Sequence, residues 1–227
     1  MDNTNDILKI FKDKYKKGDF RVTKSGTKTV EIQNAHFICD KDYIIRKPNY
    51  DYANRELIWY ITQSLNVNDI PGNVPRIWID CADKNGMINS NYGWCIFSKD
   101  NGNQFSNCIQ ALIDDPMTRQ AVMLYNRPSI WSEWNKNGMH DFICTYSTQC
   151  FLNEEKDGWH LKYVVYMRSN DAVFGFNNDL YWHNWVRDSL AASLKDTYGE
   201  IKCDPVEWNS GSLHIYERHF KYLEDND

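Results

Sequence analysis

Residues 141–179 read "DFICTYSTQCFLNEEKDGWHLKYVVYMRSNDAVFGFNND", and the reading of this stretch decides the fold. Its first part, "DFICTYSTQCFL", and its second, "WHLKYVVYMRS", are rich in β-branched and aromatic residues and predict two strands. "NEEKDG" between them predicts a turn, so the pair reads as a hairpin. Beyond it the period of the apolar residues changes. A helix is expected from Asn178 or Asp179, which would serve as its cap, to about Lys195, with Trp182, Val186, Leu190 and Leu194 on its buried side. A hairpin feeding a long amphipathic helix points to an α+β domain, a mixed or antiparallel sheet covered by helices.

The rest of the chain extends this pattern. "NTNDILKIFKDKYKK" (3–17) fits an amphipathic helix with Ile7, Ile10, Phe11 and Tyr15 on one side, and "TKTVEIQNAHFIC" alternates as a strand does. "NRELIWYITQSL" and "NGNQFSNCIQALIDD" predict two further helices, and "AVMLYN" another strand. A turn at "CDPVEWNS" leads into a last strand, "GSLHIYER", and the acidic "LEDND" end is expected to fray. No repeat, linker or low-complexity tract interrupts the chain, so residues 1–227 read as a single domain.

Composition narrows the function. The 227 residues are 42% hydrophobic and 25% charged, enough to build a sizeable core. A net charge of -5 argues against a dedicated nucleic-acid binder, while leaving room for a local cluster of cations around one small anion. No basic-then-apolar start occurs and no apolar run approaches roughly 18 residues, so a soluble, cytoplasmic protein is expected, with no membrane partner. The seven cysteines are irregularly spaced with no C-x2-C pair, which predicts reduced thiols and no metal site. "SGTKT" lacks the earlier glycine of a phosphate-cradling loop.

Two of those cysteines, Cys144 and Cys150, share the first strand of the opening stretch. Their even separation puts both on one face of an uninterrupted strand, so alternation does not choose between them. A reactive thiol needs positive charge or hydrogen-bond donors nearby. "MRSNDAVFGFNND" supplies polar groups where a buried strand should have none: Arg168, Ser169 and Asp171, then a glycine, then Asn177, Asn178 and Asp179. "SNYGW" and "GSLHIY" add tyrosine, serine and histidine.

Taken together, "RELIWY", "DIPG", "INSNYGW", "RPS", "DFICTYSTQC", "MRSND" and "GSLH" resemble the thymidylate synthase superfamily in order and spacing from about Asp19 to His219. Within it the chain looks most like the phage deoxycytidylate (dCMP) hydroxymethylases. The resemblance implies a mixed sheet covered by helices, dimerising through the sheet face. It implies that Cys144, which begins a Cys-x4-Gln pattern ending at Gln149, attacks C6 of a pyrimidine, while Cys150 packs. The implied co-substrate is 5,10-methylenetetrahydrofolate, with no metal, and the implied product is 5-hydroxymethyl-dCMP. If the source is a phage, the host cytoplasm is the implied location.

The resemblance also assigns roles. Asp179 stands where thymidylate synthases carry asparagine and would read N3 and N4 of cytosine. Glu56 would organise water and proton transfer. Trp78 and Tyr92 fall in the folate and water region, and Asp171 and Gly175 also fall beside the folate. His214 and Tyr216 would bond the sugar hydroxyl. Arg168, Ser169 and Lys24 would hold the phosphate, with Arg119 contributed by the partner subunit of a homodimer. The chain departs from the family at Gln120, where a second arginine is expected, at Thr145, where synthases have histidine, and in its end, "YLEDND", which is not the synthases' apolar tail. A uracil-directed relative, hydroxymethylase or methylating synthase, and a hydroxymethylase of CMP are the alternative enzymes. A silent nucleotide- or RNA-binding relative is a third reading, opposed by retention of Cys144, Arg168, Asp179 and His214.

Overall fold

The computed structural model describes residues 1–24 and 26–224. Among the described residues, nine strands form one mixed sheet: β1 (Asp2–Asn3), β2 (Arg21–Val22), β3 (Lys28–Ile38), β4 (Val122–Leu124), β5 (Thr145–Glu155), β6 (Gly158–Met167), β7 (Asn170–Asp171), β8 (Ile201–Cys203) and β9 (Glu207–Tyr216). The main path runs β1-β3-β9-β6-β5-β4, with β2 on β3, β7 on β9 and β8 on β6. The β5–β6 hairpin is antiparallel, as expected, but β9 returns parallel to β6 and antiparallel to β3. That return makes the sheet mixed.

Helices α1 (Thr4–Lys16), α2 (Tyr50–Thr62), α3 (Arg76–Cys81), α4 (Tyr92–Phe97), α5 (Gln104–Asp114), α6 (Ile130–Glu133) and α7 (Gly175–Tyr198) complete the domain. The longest, α7, buries Trp182, Val186, Leu190 and Leu194, the stripe expected from sequence. Among the described residues, no helix is long and apolar enough to cross a membrane.

The structure corrects several boundaries. Helix α7 begins at Gly175, with Phe174 at the cap position and no side-chain cap bond. Neither Asn178 nor Asp179 caps it. The first turn is pulled inward because Phe176 is fully buried against Phe37 and Trp208, at ring distances of 5.7 and 5.1 Å. Asp179 is thereby carried into the second turn. The "NEEKDG" turn shrinks to Lys156 and Asp157, with Glu155 paired to Gly158, whose φ of 120° suits glycine. Strand β9 starts earlier than expected, inside "CDPVEWNS", because Trp208 is a core residue. Of the "LEDND" end, Leu223 is buried and Glu224 accepts a bond from the Tyr15 hydroxyl, so this part does not fray; residues 225–227 lie outside the described residues.

One contact fixes how the helices meet. Helix α4 crosses α2 so closely that a Cβ built on Gly93 would lie 1.7 Å from the Tyr60 carbonyl oxygen. Only glycine fits there, and backbone cannot yield as a flexible side chain does. Gly93→Ala should therefore cost at least about 3 kcal/mol of stability, at or beyond the upper range of overpacked sites. Urea unfolding would register this; a midpoint equal to wild type would show that the two helices can separate without penalty.

Candidate active site

Cys144 sits one residue ahead of β5, where the β5–β6 register slips between Thr145 and Ser147. The slip breaks the alternation that would have put Cys144 and Cys150 on one face. Cys150 is fully buried, its sulfur 3.9 Å from that of Cys108. Cys144 stays half-buried. One thiol is reachable and the other is packed.

Arg168, at the end of β6, is folded around Cys144. Its backbone N–H donates to the Cys144 carbonyl at 2.8 Å, its Nε donates to Ile143 O at 3.0 Å, and its Nη2 reaches both Phe142 O and the Cys144 sulfur, the latter at 3.4 Å. The guanidinium also lies over the Phe142 ring. Burial pushes the Cys144 thiol up to about 11, and Arg168 is the group that pulls it back, against the carboxyls of Asp179 and Asp141. The resting thiol is protonated, with its cation already in place.

Asp179 projects from the second turn of α7, and its Oδ2 accepts from Asn170 Nδ2 at 2.7 Å. Burial and the facing Glu56 push its carboxyl well above the ordinary range, while Asn170 and the Tyr92 hydroxyl pull the other way. Its neutral form is favoured. Gly175, one turn earlier, lies against this pair: a Cβ there would stand 3.5 Å from Asn170 Nδ2 and 3.9 Å from Asp179 Oδ2.

A second buried acid faces the first. Glu56 on α2 accepts from Trp78 Nε1 at 2.9 Å and from the Tyr60 hydroxyl at 3.3 Å, while the Tyr52 hydroxyl lies 3.0 Å from the same indole nitrogen. Desolvation raises its carboxyl to about 7, although bonds from Tyr52, Trp78 and Tyr60 lower it. A carboxyl poised near neutrality can give and take a proton. The raised value also predicts a stability cost: the contribution is full below about 4.5 and is lost as pH rises through about 7. Glu56→Gln should therefore gain about 3 kcal/mol over wild type at pH 8 and little at pH 5. Urea unfolding at the two pH values is the check; an equal difference at both would mean that Glu56 titrates normally.

The residues expected at the sugar also converge. Strand β7 pairs Asp171 with His214, and His214 contacts the Tyr216 ring edge-on at 4.8 Å. Burial holds His214 below its ordinary value, so it is neutral. Ser169 is half-buried beside Arg168. Lys24 and Arg119 are not brought in. Both are exposed, Lys24 in the turn after β2 and Arg119 ahead of β4, and neither side chain bonds into the Cys144 cluster among the described residues. Gln149 is turned toward this edge, donating from Nε2 to the Arg119 carbonyl at 3.0 Å.

Sequence reasoning missed several members. Tyr52 and Tyr60 flank Glu56 at i−4 and i+4, a helical spacing that would have found them. Asn170 lay inside the "MRSND" segment without a role. Asp141 accepts from the backbone of Asn89 at 2.6 Å and from the Ser90 N–H and Oγ at 2.7 and 2.6 Å, pinning the loop that leads to Tyr92. Its partners lie too far away in the chain to leave a local signal. Among the described residues, Glu155, Asp157 and His160 form the one group at metal-ligand spacing, on the hairpin at the far end of β5 and β6 from Cys144.

The thymidylate synthase family profile matches residues 4–226. The chain is 46% identical over 213 residues to the deoxycytidylate 5-hydroxymethyltransferase of Enterobacteria phage T4, covering 93% of this chain and 85% of that one. It is 25% identical to a thymidylate synthase of Vesicomyosocius okutanii, over 74% of this chain and 61% of the relative. Thermostable thymidylate synthase A from Bacillus subtilis, 21% identical, has the same fold, with a TM-score of 0.66 over 97% of this chain and 82% of that structure.

Proposed function

Since the chain belongs to the thymidylate synthase family, we propose that it transfers a one-carbon unit from 5,10-methylenetetrahydrofolate to C5 of dCMP and completes the reaction with water, giving 5-hydroxymethyl-dCMP and tetrahydrofolate. The observation that carries the cytosine assignment is the buried, neutral-leaning Asp179 carboxyl beside the Cys144–Arg168 pair. The 46% identity to a phage enzyme of that activity supports it, as does the family fold.

C5 of a pyrimidine is a poor nucleophile until a thiolate adds to C6 and sends electron density to C5. Cys144 is the thiol placed for that addition, and Arg168 lowers the cost of its thiolate. Cytosine presents an N3 acceptor and an N4 amino donor. A protonated carboxyl at Asp179 donates to the first and accepts from the second. His214 and Tyr216 bind the sugar hydroxyl, and Arg168 and Ser169 hold the phosphate, with Lys24, outside the cluster in the turn after β2, as a cation that would have to move to reach it. Gln149, bonded to the Arg119 carbonyl, completes the nucleotide contacts at that edge, and Asp171, opposite His214, adds to those at the sugar.

Methylenetetrahydrofolate supplies a one-carbon unit at the oxidation level of formaldehyde. The residues at the cleft fit it: Trp78 is bonded to the buried acid Glu56, and Trp131, largely exposed, lies 5.1 Å edge-on from Phe142, leaving flat apolar surface for an aromatic ring system. Trp78, Glu56, Asp171 and Gly175 would hold it. Glu56, near half-protonated at neutral pH, moves protons at the base and orders the attacking water, with Tyr92 stacked on the Tyr60 that bonds it.

A homodimer through the sheet face fits the exposed row Leu124–Ser147–Tyr166–Asn209, cross-strand neighbours on four adjacent strands, whose Leu124 and Tyr166 are open to solvent. Such a dimer would bring Arg119 of one chain to the phosphate of the other, with Gln120 reducing the charge available there. The experiment that tests the function is a panel of dCMP, dUMP and CMP incubated with methylenetetrahydrofolate, with products weighed. Hydroxymethyl-dCMP is expected. A methylated product with dihydrofolate, or turnover of dUMP alone, would overturn the assignment.

A further inference from the structure

A neutral carboxyl has a weakness as a base reader: it is ambidextrous. With the proton on the oxygen facing N3, it donates to N3 and accepts from the cytosine amino group. With the proton on the other oxygen, it accepts from the N3–H of uracil and donates to O4. The same side chain in the same place matches both bases unless something decides where the proton sits.

Asn170 is placed to decide it. It lies on the two-residue strand β7, is 4% exposed, and is held by pairing of β7 with β9, where Asn170 stands opposite Leu213 and Ala172 N–H donates to His214 O at 2.9 Å. Its Nδ2 donates to Asp179 Oδ2 at 2.7 Å. Its Oδ1 is buried with no hydrogen-bond partner among the described residues. The bond to Asp179 is therefore what orients the amide. An amide nitrogen is a donor only, so the oxygen that it faces must accept, and an unprotonated carboxyl oxygen accepts far better than one that carries the proton. The Tyr92 hydroxyl, which also faces Asp179, both donates and accepts, and so imposes no such choice.

We propose that Asn170 is a specificity-determining positioning residue: it biases the Asp179 proton onto Oδ1, toward N3 of the base, and leaves Oδ2 to accept from the exocyclic amino group, so that cytosine is bound in preference to uracil. This rests on the reading of Asp179 as the base-binding acid. Asn170 touches no reacting atom; it acts through Asp179. The charged and titratable groups facing Asp179 are Glu56 and Tyr60 on α2, Tyr92 on α4, Asp171 on β7, and Cys144 ahead of β5. None of these is a pure donor to it, so none substitutes for the amide.

The test is equilibrium binding of dCMP and dUMP by calorimetry across pH 5.5 to 9, in wild type, Asn170→Ala and Asn170→Asp, with circular dichroism to establish folding. Wild type should prefer dCMP. Asn170→Ala should lower the dCMP/dUMP affinity ratio about tenfold, the worth of one directed hydrogen bond. It should also move the alkaline limit of dCMP binding to higher pH, because a donor that favours the carboxylate is gone. A loss of packing alone would not produce that upward shift. Asn170→Asp, isosteric but lacking the fixed donor, should lower the ratio at least as far, and it serves where the alanine variant does not fold. In wild type, the side-chain amide of 15N-labelled Asn170 should keep its bonded proton when dCMP binds. If wild type shows no preference for dCMP, the reading of Asp179 fails and this inference with it. If wild type prefers dCMP but the ratio and the pH limit are unchanged in a folded variant, or the amide proton exchanges freely in the complex, only the role of Asn170 is overturned.

Discussion

Cys144→Ala should reduce formation of hydroxymethyl-dCMP by at least about four orders of magnitude, the scale seen when a catalytic nucleophile is removed. The reason is electronic. Without a thiolate at C6 the ring has no route to a nucleophilic C5. Binding of dCMP should survive, because the base, sugar and phosphate contacts are assigned to Asp179, His214, Tyr216 and Arg168. Cys150→Ala should have the opposite profile: activity retained, with a modest loss of stability from the cavity beside Cys108. Tritium release from [5-3H]dCMP separates the two variants. Release that persists in Cys144→Ala would remove the sulfur from the mechanism.

Asp179→Asn should erode the enzyme's preference for dCMP over dUMP. A carboxamide donates through nitrogen and accepts through oxygen, which matches the O4 and N3–H of uracil. Flipped, with nitrogen toward N3 and oxygen toward the amino group, the amide matches cytosine as well, and Asn170, whose Oδ1 has no other partner among the described residues, can turn with it, so the variant loses the means of telling the two bases apart. Sites built on such bonds discriminate by about 10⁴-fold or more, and a swing of roughly 10² to 10⁴ in the ratio of kcat/KM values is expected. The pH dependence should change too. Wild type loses dCMP binding as pH rises through the elevated pKa of Asp179, whereas the asparagine variant has nothing there to titrate. An unchanged dCMP preference would show that some other group reads the amino edge.

The β5–β6 hairpin and the buried stripe of α7 were legible in the sequence because apolar period is a local property and both elements are long. The start of α7 was not. Asn178 and Asp179 look like caps in isolation, but Phe176 finds its partners on β3 and β9, and that tertiary contact decides where the first turn lies. The choice between Cys144 and Cys150 depended on a register slip that no alternation rule foresees; the resemblance supplied it, and the slip explains it physically. Asp179, Glu56, Trp78, Arg168 and His214 were named from motifs, and the structure brings them to one cleft. What motifs did not carry were the groups that tune them: Tyr52 and Tyr60 around Glu56, and Asn170 on Asp179. Lys24 and Arg119 were named from the resemblance alone, and the structure leaves both exposed, outside the Cys144 cluster.

The most direct test uses dCMP with fluorine at C5, incubated with methylenetetrahydrofolate and the protein, followed by intact-mass and peptide-mass measurement. After the one-carbon unit is attached, C5 must lose its substituent as a cation; a proton can leave in this way and fluorine does not. The account predicts a stable adduct of protein, nucleotide and folate, carried on the peptide containing Cys144 and absent when 5-fluoro-dUMP is supplied instead. An adduct on another cysteine, or none with the cytosine nucleotide, would contradict it.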